Sequence, residues 1–341
     1  MDAALSCAFD PVPGDLDEVN EARRLLGARM KPVLELLSQD GVTELMVNQP
    51  EDWWVERAGR MGQVAPVLRG AEIEAVVVLL GKLVGHDLGG RSGERCVNVL
   101  AGSVLRIAAA LYPVSIEGHS LCIRRHLSRQ VKLSDFQFAP AAALKAERVA
   151  SADEGGDWSS WLAACVRERR NVLVSGATGS GKTTFANALL DLVPEEERVL
   201  CIEDTPELRI RSRNRVRFET RGADDTRALL RMALRYRPDR IVVGEVRGPE
   251  AYDLLQAWNT GHPGGVSTLH ADSAEDALYR LEALVTQSAE VKSWPLSAVR
   301  RACSGAVGVV VQLSKHRLCE IAAVEGVDES GGYRVRRVFS G

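Results

Sequence analysis

One short segment limits what this chain can fold into more than any other. Residues 176–184 read Gly-Ala-Thr-Gly-Ser-Gly-Lys-Thr-Thr and satisfy G-x-x-x-x-G-K-S/T through Gly176, Gly181, Lys182 and Thr183. An apolar strand-like run at 171–175 precedes the motif, and an apolar helical run at 185–192 follows it. That order makes a phosphate cradle. Glycines let the backbone N–H groups of Gly176, Ala177, Thr178, Gly179, Ser180 and Gly181 curl around a β-phosphate, and the helix turns its positive N-terminus to the same charge. Lys182 then reaches the β- and γ-phosphates, the Thr183 hydroxyl serves Mg²⁺, and Thr184 lies beside them. The expected ligands are ATP and Mg²⁺.

The rest of the C-terminal half agrees with such a cradle. Short apolar runs at 198–203, 241–244 and 265–269 alternate with helical stretches, which predicts an α/β domain with a mostly parallel sheet covered on both faces. Runs at 307–313, 317–323 and 333–339 predict an antiparallel tail. The first third reads differently. Leu26, Met30, Val33, Leu34 and Leu37 recur at helical spacing within a helix at 19–37, ended by Gly41. Residues 43–47 and 53–57 predict a hairpin around 48–50. Ile73, Val77, Leu80 and Val84 mark a second helix closed by Gly89 and Gly90, and 104–111 and 121–125 are β-rich. A length of 341 residues suits two domains: a smaller α/β domain at 1–130, a linker at 131–157 with Pro140 and an alanine run, and the P-loop domain at 158–341.

Composition removes several classes. With 45% hydrophobic and 26% charged residues the chain reads as soluble and globular. Its 43 Lys and Arg against 46 Asp and Glu give a net charge of -3, so it carries no overall basic field for nucleic acid. Met1 to Asp15 lacks a secretory pattern, and the best apolar window, 73–84, is broken by Glu74 and Lys82. Seven cysteines include no C-x-x-C pair, which argues against a disulfide framework or a zinc site. A cytosolic protein is expected.

A P-loop needs an acidic partner on a neighbouring strand. Ile241-Val-Val-Gly-Glu245 delivers Glu245 at a strand's carboxyl end, where such sheets place ligands. Gly244 stands where many P-loop proteins carry a metal-side aspartate, which leaves Glu245 to position or deprotonate the attacking water, or to be an ordinary surface glutamate. Ile202-Glu-Asp-Thr-Pro-Glu207 also ends a strand. Glu203, Asp204 and Glu207 hold Mg²⁺ through water or polarise the lytic water, or else Asp204 and Thr205 only make a turn before Pro206. In Gly261-His-Pro-Gly-Gly-Val-Ser-Thr-Leu-His270, His262 and His270 bracket a strand, so one of them lies near the ligand edge and can hydrogen-bond a γ-phosphate or Glu245.

These four blocks, in this order, resemble the Walker A, aspartate box, Walker B and histidine box of the secretion (traffic) ATPases that power type II, type IV pilus and type IV secretion machines. The stretches Arg237-Pro-Asp-Arg-Ile-Val-Val-Gly-Glu-Val-Arg247 and Ala257-Trp-Asn-Thr-Gly-His-Pro-Gly-Gly-Val-Ser-Thr-Leu-His-Ala271 look most like the conjugative-transfer, TrbB-type branch. Residues 171–272 carry the likeness strongly, and Trp53-Trp-Val-Glu-Arg57 carries it more weakly. The resemblance implies a RecA-like P-loop domain, a homo-hexameric ring, and arginines of the N-terminal domain that reach the phosphates. Arg106 and Arg124 match those positions, with Arg125 a rival to Arg124. It further implies ATP-driven DNA or protein export at the inner face of the bacterial inner membrane, with attachment through other components of the machine. The cysteine-rich zinc module of some type II relatives is absent from this sequence.

Other readings stay open on the sequence alone: a pilus or type II motor, a nucleotide-gated ring scaffold with little turnover, or a DNA helicase. Arg209, Arg211, Arg213, Arg215 and Arg217 alternate, so one strand or hairpin would align them on one face to line a pore, meet a neighbour or bind polyanions, or simply to be solvated. Trp53 and Trp54 either touch a membrane or pack.

Overall fold

The computed structural model describes residues 5, 7–88, 95–102, 104–125, 131–139, 157–220 and 225–340. The chain divides into two compact units, Met1–Arg129 and Gln130–Gly341.

In the first unit, helix α1 (Asp17–Leu37) is followed by β1 (Val42–Gln49), β2 (Asp52–Arg57), β3 (Arg60–Val64), helix α2 (Gly70–Leu83), β4 (Cys96–Ala101), β5 (Leu105–Ala110) and β6 (Ser120–Arg125). The strands form one antiparallel sheet in the order β3-β2-β1-β6-β5-β4. Alternation decides which face is covered. Leu45, Val47, Leu105, Ile107, Leu121 and Ile123 are buried with Leu26, Met30, Val33, Ile73, Val77 and Leu80 of the two helices, while Glu44, Arg106, Cys122 and Arg124 fall on the other face. Trp53 is fully buried and donates from Nε1 to the Pro50 carbonyl, so it is a packing residue. Gly89 and Gly90 lie outside the described residues.

The second unit holds α3 (Trp158–Arg167), β7 (Val172–Gly176), α4 (Lys182–Leu190), β8 (Val199–Glu203), β9 (Arg215–Glu219), α5 (Thr226–Ala233), β10 (Arg240–Glu245), α6 (Glu250–Asn259), β11 (Val266–Leu269), α7 (Ala274–Val285), α8 (Leu296–Ala306), β12 (Val309–Ser314), β13 (Arg317–Val327) and β14 (Tyr333–Ser340). Its mixed sheet runs β14-β13-β12-β7-β11-β10-β8-β9. The central strands are buried on both sides because successive residues feed two different cores. Leu173, Leu200, Ile202, Ile241 and Val243 join helices α5 to α8, whereas Val172, Val174, Val199, Cys201 and Val242 join α3 and α4. Runs without polar residues in the sequence are the signature of that double cover.

The tail is antiparallel as expected, β12 with β13 and β13 with β14, and it joins the sheet through β12, which pairs parallel with β7. In the stretch expected as a linker, Leu133 and Phe136 are buried beside Leu162, Val166 and Phe185, with the Phe136 and Phe185 rings edge to face at 4.8 Å; Pro140 and the alanine run lie outside the described residues. The alternating arginines do not share one strand, because only Arg215 and Arg217 are in β9. Ser212 instead hydrogen-bonds the carbonyls of Glu195 and Glu197 and ties the preceding stretch into a turn. Arg211 pairs with Asp191, Arg213 with Glu195 and Arg217 with Glu203, so most of that charge is already answered by acids of the same unit.

Candidate functional site

Strand β7 ends at Gly176, and the chain wraps through 177–181 into α4. The wrap needs glycine where it bends: φ is 151° at Gly176, 71° at Gly179 and 96° at Gly181, the last being the N-cap of α4. A Cβ at Gly176 would strike the Leu313 carbonyl and the Ser180 hydroxyl, so the loop is also closed by its neighbours. Ala177, Thr178 and Gly179 are exposed, Thr183 is half-buried and Thr184 is exposed. The Lys182 side chain is buried and folds back, with Nζ donating to the carbonyls of Gly176 at 2.8 Å and Ala177 at 3.0 Å. Burial pushes its pKa below the ordinary lysine value.

The parallel register Val266↔Val172 to Leu269↔Ser175 brings His270 beside the start of the loop. Its Nδ1 lies 3.3 Å from Lys182 Nζ, where it accepts from the ammonium, and its Nε2 lies 2.9 Å from Glu245 Oε1. That second contact is close but off-axis, and Glu245 Oε1 is a buried acceptor with no aligned donor among the described residues. Arg247 Nη2 donates to Glu245 Oε2 at 2.6 Å, and its Nη1 donates to Asp204 Oδ2 at 2.9 Å. Thr220 Oγ1 donates to Asp204 Oδ1 at 3.2 Å. Lys182, His270, Glu245, Arg247 and Asp204 therefore form one continuous chain of contacts along the C-terminal edge of the sheet. An open cavity of about 300 Å³ beside it is lined by Asp204, Thr226, Arg227, Glu245, Arg247 and Glu250.

Other expected residues are used differently. Glu203 is buried, and its Oε1 accepts the amides of Glu207 at 2.9 Å and Leu208 at 2.8 Å. It braces the acidic loop instead of facing a ligand, and burial raises its pKa above the ordinary carboxylate value. A Cβ at Gly244 would meet Glu203 Cγ at 3.0 Å, so the Glu203 stem occupies the space that an aspartate at 244 would need. Glu207 is half-buried just after this loop. His262 is not at the phosphate edge: its Nδ1 lies 2.9 Å from the Pro238 carbonyl, before β10 begins. The length of β11, about 13 Å at ~3.3 Å per residue, separates it from His270.

A magnesium ion that arrives on nucleotide phosphates needs few protein ligands. Thr183, half-buried at the start of α4, fits that mode through its hydroxyl. Glu203 does not fit as a direct ligand, because two amides hold its oxygen, and Asp204 is held by Arg247 and Thr220.

In the first unit, Arg106 and Arg124 are directly opposite each other across β5 and β6. Arg124 pairs with Glu44. Arg125 points to the other face, where it donates to the Leu37 carbonyl at the end of α1, which separates it from its rival. Like charges set opposite on a sheet are unfavourable alone, and the Glu44 carboxylate offsets part of that here.

The sequence reading missed three residues of the site. Arg247 was legible as a basic neighbour of Glu245 but not as its clamp. Gln312 accepts from Ser175 and donates to the Ala271 carbonyl at 3.1 Å, tying the loop's strand to the segment after His270. His316 donates its backbone N–H to the Ser180 carbonyl at 3.1 Å. Both sit on β12 or its turn, whose pairing with β7 no local pattern announces.

The family model described as "Type II/IV secretion system protein" matches residues 92–337. The chain is 32% identical over 296 residues to the conjugal transfer protein TrbB of Rhizobium radiobacter, covering 84% of each chain. It is 33% identical over 319 residues to the protein VirB11 of Agrobacterium fabrum, covering 88% of this chain and 91% of the relative. Among solved structures, the ATPase DotB of Legionella pneumophila shares its fold, with a TM-score of 0.55 at 19% identity over 96% of this chain and 82% of that one.

Proposed function

The chain belongs to the type II/IV secretion system protein family, and on that footing we propose that it is a type IV secretion or conjugal transfer ATPase. The second unit is its RecA-like P-loop domain, and the observation that carries the reading is the run Lys182–His270–Glu245. It sets a phosphate-seeking ammonium, an imidazole and a buried carboxylate oxygen without an aligned donor along one edge. Lys182 leaves its loop carbonyls for the β- and γ-phosphates when MgATP binds, and the loop amides share the charge. Glu245 Oε1 accepts from the water that attacks in line, with His270 next to the γ-phosphate. Thr183 holds the ion that accompanies the phosphates. The family resemblance assigns phosphate binding to Arg106 and Arg124, a role that suits arginine because its planar fork binds phosphate oxygens at two points. Glu203 and Glu207 act through the acidic loop, by setting where Asp204 sits.

The working assembly is a homo-hexameric ring docked on other components of an inner-membrane machine. No helix among the described residues is long and apolar enough to cross a membrane. The test is phosphate release by the full chain with MgATP, with its mass measured in the same buffer. Turnover by a species of hexameric mass is expected; a chain that binds MgATP, forms a ring and releases no phosphate even with its secretion partners overturns the motor reading.

A further inference from the structure

The Lys182–His270–Glu245 run lies on one flank of the P-loop, because β11 and β10 follow β7 in that direction across the sheet. On the other flank β12 pairs with β7 and turns into β13 through Lys315 and His316. Ser314 and Arg317 close this two-residue turn, whose central residues have φ of 47° and 62°. Both are left-handed, a geometry for which Asn-Gly is the favoured pair. Keeping Lys and His there costs strain that a simple connection would avoid, and non-glycine residues at positive φ gather at functional sites.

The turn also touches the loop. The His316 N–H donates to the Ser180 carbonyl, and its Nδ1 would lie 3.1 Å from a Cβ at Gly181. The imidazole therefore rests against Gly181, the N-cap of the phosphate-binding helix, while His316 stays exposed. A nucleoside triphosphate is a linear chain of groups. If its γ end is held toward His270 and Glu245, its nucleoside end must leave the loop on the opposite flank, where this turn stands.

We propose, resting on the P-loop reading above, that the β12–β13 turn is the nucleoside-side wall of the site and that the His316 ring stacks on the base of the bound nucleotide. An aromatic face fits any base but rewards the larger purine surface. His316 is thus a binding residue for the base, separate from the groups that handle the phosphates.

The experiment is calorimetric titration of the full chain, in Mg²⁺, with ATP and with inorganic tripolyphosphate, which has no base. His316→Asn removes the ring and keeps a residue that tolerates the left-handed turn. It should weaken ATP about tenfold and leave tripolyphosphate within about twofold of wild type. His316→Phe should recover most of the ATP affinity. Equal losses for both ligands would reduce His316 to a brace on the P-loop and overturn the proposal, as would unchanged ATP binding in His316→Asn. Wild-type protein that binds neither ligand would instead overturn the P-loop reading, and this proposal with it.

Discussion

At the N-terminal ends of β7, β10 and β11 the polar groups are knitted together. Asn171 Oδ1 accepts the amides of Gly264 at 2.7 Å and Gly265 at 2.9 Å, and its Nδ2 donates to the Ala306 carbonyl. Arg240, also buried, pairs with Glu197 and reaches the Gly264 carbonyl at 3.0 Å, and Trp258 donates to the Ile241 carbonyl. At the C-terminal ends of the same strands, Ser180 Oγ and Glu245 Oε1 are buried with no aligned partner among the described residues, Lys182 folds onto its own loop, and the adjoining turn is left-handed. Buried polar groups are normally satisfied. Two of the three buried atoms without an aligned partner among the described residues lie at the C-terminal edge, and the third, Ser267 Oγ, lies inside β11. The N-terminal edge is the one whose polar contacts hold the strands in register.

Breaking the open edge should remove chemistry and spare the fold. Lys182→Ala should lower MgATP turnover about a thousandfold and weaken ATP binding, with an unfolding midpoint near wild type; kinetics and a thermal melt check both. Breaking the knitted edge should do the reverse. Asn171→Ala leaves two buried amides without an acceptor and should cost about 3 kcal/mol of stability, measured by denaturant unfolding, while the affinity of the folded protein for ATP holds.

The two histidines sharpen the contrast because they flank one strand. His270→Asn should lower kcat about thirtyfold with little change in KM, whereas His262→Ala should leave both within about twofold; matching losses would erase the distinction between the edges. The smallest effect concerns Glu203. Its carboxyl titrates higher in the folded chain than its ordinary 4.5, so folding stability is greatest while the group is protonated in both states. It falls as pH rises from that ordinary value through the raised one, then levels off. Glu203→Gln should flatten that fall, which unfolding midpoints across the acid range would reveal.

Much of this contrast is legible in the amino-acid sequence. The short apolar runs 172–174 and 199–202, set between turn signals, read as strands covered on both faces, and the glycine spacing of 176–181 fixes the loop by steric need. Glu245 is legible because an apolar strand ends on it. What escapes depends on contacts distant in sequence. The 309–314 run gives the same pattern whether its neighbour is parallel or antiparallel, so its place beside β7 is hidden, and with it the reach of Gln312 and His316 to the loop. The arginines from 209 to 217 alternate as a strand would, yet Ser212 captures carbonyls that a ladder needs. His262 and His270 look equivalent in sequence, and only strand direction assigns them to opposite edges.

The division between the two edges is tested most sharply by Glu245→Gln, with MgATP binding and steady-state phosphate release measured on the same preparation. ATP affinity should stay within about threefold of wild type and turnover should fall about a hundredfold or more, since the amide keeps the shape and loses the acceptor charge. Unimpaired phosphate release from this variant would contradict that division, because the buried oxygen at the open edge would then take no part in the reaction.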